Sequence, residues 1–233
     1  SYPNWNEQHF IDTGLMAVAV AVAYDWLYDD WSEEMRALLS DALINHALKK
    51  AAPDAFWIHN GNNWSQVCHA GMVMASIAVA ERCPELAQGL IGDAVTTYHE
   101  TFDAYAPNGG YPEGVGYWEL ATLYSILTVE SFKGAFGTDF GLESEPGFRE
   151  SGEFIELMTG PTGRMYGHSD SGEKRKCNAP LWWYAKTFSR PDLVSGFERE
   201  ITLKEMRQPG CDWSIWGKDH YCHNCFIPLM WMI

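Results

Sequence analysis

The stretch NGNNWSQVCHAGM, residues 60–72, sets two asparagines, a glutamine and a histidine at the mouth of an otherwise apolar, small-residue helix. Asn62, Gln66 and His69 stand at i, i+4 and i+7, so a helix puts them on one face. Such a face has two uses: its polar groups satisfy one another in the interior, or they meet a ligand. Asn62 or Asn63, following Gly61, also suits a helix N-cap. Tyr124 lies in ATLYSIL, an apolar run in which a buried phenol wants a partner. Trp64, Tyr117 and Trp118 are aromatic groups of the kind that stack on sugar rings, and they equally suit helix–helix seams. His168 and Asp170, in YGHSDSG, sit on a polar loop with Arg164 before them. The run EKRK that follows, Glu173 to Lys176, is the one basic cluster, either a lure for a polyanion or a solvated loop.

The elements that must hold these groups are helical nearly throughout. Spacing predicts helices over Phe10 to Tyr28, from an N-cap at Ser32 to about Lys50, over Trp64 to Arg82, and from Pro84 to about Tyr105. Further helices are predicted over Tyr117 to Phe136, Phe148 to Met158 and Ala179 to Phe188. Apolar, small-residue helices alternate with amphipathic ones. A double ring of helical hairpins produces that alternation, its inner helices enclosed and its outer ones wet on one face. A plain bundle or solenoid is the alternative. In the ring, the long loops at 51–63, 106–116 and 160–178 gather at one end, where rigid scaffolds carry their sites.

Composition narrows the function classes. Acidic residues outnumber basic ones by 31 to 16, a formal charge of −15, which opposes general nucleic-acid binding. No run of about 18 or more apolar residues exists to span a bilayer. The chain opens at Ser1 without a basic-then-apolar leader, as suits a processed or truncated product. Six scattered cysteines do not imply a disulfide framework. Cys222 and Cys225, flanked by His220 and His223, lack a second ligand pair at zinc spacing, so no metal site is expected.

The strings NNWSQVCHAGM, YAPNGGYPEGVGYWELATLYSIL and GFRESGEFIELMTGPTGRMYGHSDSG resemble the α/α-toroid of the heparinase II/III-like polysaccharide lyases, over about Phe10 to Phe197. The resemblance implies an all-α fold, an incomplete (α/α) toroid of helical hairpins occupying residues 1–233 as one domain. It implies a longer polypeptide too, whose first helices and β-sandwich domain lie outside this chain, working in the periplasm or secreted. The implied reaction is β-elimination at a uronic acid within an acidic polysaccharide. A neutral or cationic donor holds the carboxylate, a base takes the C5 proton, and an acid protonates the departing oxygen. No nucleophile, metal or cofactor is formally required.

In the resembling lyases an Asn or His on one inner helix works with a Tyr on the next, mid-fifties of residues later. Tyr124 follows His69 by 55 residues, which makes these two the expected catalytic pair. Asn62, Asn63, Trp64, Gln66, Tyr117, Trp118 and His168 are the expected substrate-binding residues. Two other readings compete. One is an (α/α)-barrel glycoside hydrolase drawing its two carboxylates from Glu113, Glu119 and Asp25. The other is a non-catalytic carbohydrate-binding fragment.

Overall fold

A computed structural model describes residues 4–169, 171–173 and 179–195 of the chain. These are mostly helical, and among them there is no strand, only one isolated antiparallel bridge between Thr159 and Met165. The all-α expectation therefore holds. The longer helices are α1 (Phe10–Trp26), α2 (Glu33–Ala42), α3 (Asn63–Ala78), α4 (Pro84–Thr101) and α5 (Gly114–Phe136). Two shorter ones follow, α6 (Phe154–Leu157) and α7 (Ala179–Thr187).

The odd-numbered helices form a row: α1 packs on α3, α3 on α5, and α5 on α7. α1 and α3 come together backbone to backbone where Gly14 meets Gly71. α4 runs antiparallel beside α3, as two pairings show: Ser65 meets Thr101 and His69 meets Thr97. α3 is enclosed on nearly every side, and it belongs to both apolar clusters of the molecule. Val67, Cys68, Met72 and Ala75 pack with α1 and with the segment after α2, while Val73 joins an aromatic cluster built by α4, α5 and α7. That second cluster contains Tyr98, Phe102, Tyr105, Phe148, Trp183 and Tyr184, with rings meeting edge-on or tilted, as their quadrupoles favour.

Local chemistry explains most boundaries. The Ser32 hydroxyl accepts from the Met35 N–H at 3.2 Å and starts α2. Beyond Ala42 the predicted continuous helix widens into a π-turn at Leu43–Ala47 and tightens into a 3₁₀ turn at Leu48–Lys50. Pro84 occupies the first turn of α4, where its missing N–H costs nothing. α3 ends at Ala78, short of Arg82, whose guanidinium reaches back to Ser40 and Asp41.

Two expectations fail for tertiary reasons. α5 begins at Gly114, a turn before Tyr117. Gly114 has φ +83°, and a Cβ there would lie 2.5 Å from the His168 carbonyl oxygen, so the apparent loop glycine is a packing requirement. Phe148 to Met158 is not one helix either. Phe148 is fully buried against Phe102, Tyr105 and Tyr184, and the chain passes it in a turn before a 3₁₀ segment at Glu150–Glu153.

Candidate active site

The candidate site is built on the first turn of α3. Asn62 is its N-cap: the side-chain oxygen accepts from the Trp64 N–H at 3.1 Å. Asn63, only 5% exposed, turns the other way, towards the start of α5. Its main-chain N–H donates to Glu113 Oε2 at 2.9 Å and its Nδ2 to Glu113 Oε1 at 2.7 Å. Glu113 directly precedes α5 but makes no cap bond to its own helix; it caps α3 from across the seam. The Tyr111 hydroxyl faces both Gln66 Oε1 (2.9 Å) and Glu113 Oε2 (3.3 Å), and its one proton serves one of them at a time. Gln66, fully buried, donates from Nε2 to the Tyr105 hydroxyl at 3.4 Å, and that hydroxyl is hydrogen-bonded to the Thr122 hydroxyl at 3.0 Å.

A connected polar chain thus joins Asn63, Glu113, Tyr111, Gln66, Tyr105 and Thr122. Burial drives the phenol pKa values up: that of Tyr105 to about 12, with Tyr111 held above its usual range also by the neighbouring Tyr105 and Glu113. Both phenols therefore stay protonated at neutral pH.

The loops converge on this end, as the sequence leads one to expect. His168 Nε2 donates to the Pro112 carbonyl at 3.1 Å, its ring parallel to that of Tyr166, and the Gly116 N–H donates to the Ser171 hydroxyl at 2.7 Å. The start of α1 lies here as well. His9 meets Trp64 edge-on with ring centres 4.6 Å apart, and Phe10 stacks on Trp57 at 5.5 Å. Trp64 is half-buried, leaning on the exposed Phe56. Tyr117, also half-buried, stands one turn after Glu113 on α5.

Several expected site residues lie elsewhere. His69 is 3% exposed and its ring sits between Trp57 and Tyr98. Nδ1–H donates to the Ser65 carbonyl at 2.9 Å and Nε2 faces the Thr97 hydroxyl at 3.2 Å, so both nitrogens are engaged by α3 and α4. Burial holds its pKa down at about 4, and the ring is neutral. Tyr124, two turns deeper into α5 than Tyr117, packs against the apolar cluster shared by α1 and α3, and burial raises its pKa. His69 is turned towards Trp57 and α4 and Tyr124 towards the cluster of α1 and α3, and the hydrogen bonds of His69 go to Ser65 and Thr97 rather than to Tyr124. Trp118 is fully buried with its ring stacked against Tyr184, which removes it as a sugar platform. Gln66 is an interior hydrogen-bond partner.

Asp25 is at the opposite end of α1, roughly 22 Å along the axis from Phe10 at the helical rise per residue. It cannot partner Glu113 across a glycosidic bond. Arg164 is paired with Glu173 at 3.2 Å, beside a shallow hollow of about 320 Å³ lined by residues 157–160 and 164–166. Asp170, the basic positions 174–176, and Cys222, Cys225, His220 and His223 lie outside the described residues. Among the described residues, no group of three His, Cys, Asp or Glu is arranged to hold a metal, and no helix is long and apolar enough to cross a membrane.

Sequence reading passed over Tyr111 and gave Glu113 only a turn or hydrolase role. Their signal, two residues apart in YPE and 50 from Asn63, obeys no local spacing rule. Compared with protein-family models and with curated proteins, the sequence matches none.

Proposed function

We propose that the chain is the toroid part of a polysaccharide lyase, cleaving a uronate-containing acidic polysaccharide by β-elimination where α3 and α5 begin. The observation that carries this reading is the pair of hydrogen bonds from Asn63 to Glu113, which ties the starts of the two helices together. Tyr117, one helical turn beyond Glu113, follows Asn63 by 54 residues, within the spacing that the resemblance to heparinase II/III-like lyases implies. The row α1–α3–α5–α7 with α4 alongside is compatible with an arc of an (α/α) toroid.

The roles follow from chemistry. The α-proton of a uronate is very weakly acidic, and a neutral carboxamide bonded to the carboxylate stabilises the charge that builds up as the proton leaves. Asn63, with Asn62 beside it, is the group of that type at this end. The Tyr117 phenol takes the C5 proton and returns one to the leaving glycosidic oxygen. Trp64, backed by His9 and Phe56, and the exposed His168 flank the sugar chain. His69 and Tyr124 receive no part, because their polar atoms are spent or enclosed. A β-sandwich domain of the same polypeptide supplies remaining contacts, and no cofactor enters. The setting is periplasmic or extracellular.

The test is a screen of the native full-length polypeptide on a panel of acidic polysaccharides, following the ultraviolet absorbance of unsaturated uronate. Its appearance with at least one polymer is the expected result. Reducing ends released without that absorbance would establish hydrolysis instead, and no cleavage of any polymer would leave only carbohydrate binding.

A further inference from the structure

We infer that Glu113 is the positioning residue of the Asn63 carboxamide: its carboxylate, grasping main chain and side chain together, fixes which way that amide faces. The inference rests on the elimination reading for its consequence, and on hydrogen-bond chemistry for its geometry. A free asparagine amide swings broadly about its last torsion and turns end for end at little cost. Here the Asn63 N–H and Nδ2 bind the two oxygens of one carboxylate at 2.9 and 2.7 Å, and this two-point grip sets both side-chain torsions. The grip also selects the end. An ionised carboxylate accepts and cannot donate, so only the NH₂ end of Asn63 can face Glu113. The flipped amide would set oxygen against oxygen.

One Nδ2 hydrogen is then spent on Glu113, and the second points in a fixed direction in the amide plane. In the elimination reading, that second hydrogen is the one Asn63 offers to a uronate carboxylate. One neutral carboxamide thus stands between two carboxylates, one from the protein and one from the sugar, giving a hydrogen to each. Glu113 is steadied in turn by Tyr111, whose hydroxyl it shares with Gln66, so the grip is anchored to the buried chain that ends at Thr122. The helix start gains as well. The Asn63 N–H, an orphan donor of the first turn that Asn62 does not reach, is capped from α5.

Glu113→Gln is nearly isosteric but offers a single acceptor oxygen, so one of the two bonds must fail. The experiment compares wild type, Glu113→Gln and Glu113→Asp of the full chain by two readouts. The first is the Asn63 side-chain NH₂ resonance pair, assigned by its loss in Asn63→Ala. In the wild type the two hydrogens are expected to be widely separated in shift and slow to exchange with water. In Glu113→Gln they should collapse towards the values of an exposed asparagine, and in Glu113→Asp they should fall between. An unchanged pair in Glu113→Gln overturns the proposal. The second readout is kinetic, on whichever polymer the wild type cleaves. A roughly hundredfold loss of kcat is expected for Glu113→Gln, on the scale of a misplaced catalytic contact, with KM little changed and partial recovery in Glu113→Asp. A loss that merely follows the fall in melting temperature, equal in both variants, marks a structural cap and overturns it too. If the wild type cleaves no uronate polymer, the lyase reading falls, and the resonance pair alone still decides whether Glu113 orients Asn63. Should Glu113→Gln fail to fold, Glu113→Asp carries both measurements.

Discussion

Gly14 and Gly71 meet where α1 crosses α3, so closely that a Cβ on Gly71 would lie 2.7 Å from both the Cα and the carbonyl oxygen of Gly14. The atoms in the way are backbone, which cannot swing aside as a side-chain tip can. Gly71→Ala must therefore push the two helices apart and loosen the cluster of Ala17, Ala21, Cys68 and Ala75 around the crossing. The expected cost is about 1–3 kcal/mol despite the better helix propensity of alanine. Urea unfolding should show it, while Gly89→Ala on α4, where nothing stands within 4 Å, should be neutral or stabilising.

His69 makes stability depend on pH in a definite direction. Its folded pKa is held down at about 4 by burial, against an ordinary value of 6.5. Between these values the unfolded chain binds a proton that the folded one refuses, so stability rises with pH through this window and is level, for this group, above it. The full effect is on the order of 3 kcal/mol. Unfolding free energies measured from pH 4 to 7 should show the slope in the wild type and lose that part of it in His69→Gln. An undiminished slope in the variant would assign it to other groups.

These two cases mark what the sequence discloses. Local rules found Ser32 as a cap, Pro84 as a first-turn residue and the odd helices as the apolar ones, because each depends on residues within a turn or two. The shared face of Asn62, Gln66 and His69 was legible as well, since it follows from periodicity. The destination of that face was not. Thr97, Tyr105 and Tyr111 meet Gln66 and His69 from 28 to 45 residues away and make that part of the face an interior network, while Asn62 is left as the cap. The start of α5 at Gly114 was hidden similarly, because its left-handed glycine answers to His168, 54 residues on. A spacing in the mid-fifties could not choose between His69 with Tyr124 and Asn63 with Tyr117. In the proposed reading depth along the helix separates them, and depth is set by where α3 and α5 begin.

The interior network has its own energetic signature. Gln66 is fully buried with Tyr111 on its carbonyl and Tyr105 on its amide. Gln66→Leu fills the space but leaves Tyr111 to Glu113 and Tyr105 to Thr122 alone, at a cost of roughly 0.5–1.5 kcal/mol for each hydrogen bond lost. Trp118→Ala, by contrast, empties a packed site and should cost about 3–5 kcal/mol. Both variants should lose stability in thermal or urea melts. If Trp118→Ala instead kept its melting temperature and lost only affinity for oligosaccharides, the tryptophan would be a sugar platform after all.

The proton-transfer assignment is tested most sharply by two conservative changes on one helix. Tyr117→Phe and Tyr124→Phe each remove a single oxygen from α5, seven residues apart, and leave both rings to pack. Tyr124 lies against the apolar cluster of α1 and α3, where loss of a buried hydroxyl should leave turnover near the wild-type level. Tyr117 stands near the start of α5, one turn beyond the carboxylate that holds Asn63, and its loss should lower elimination by roughly 10²–10⁴-fold, the usual weight of a general acid or base. Melting temperatures of both variants should stay close to that of the wild type, so activity and folding are read separately. The reverse result, with Tyr124→Phe inactive and Tyr117→Phe normal, would move the chemistry two turns down the helix, into the seam beside α1 and α3.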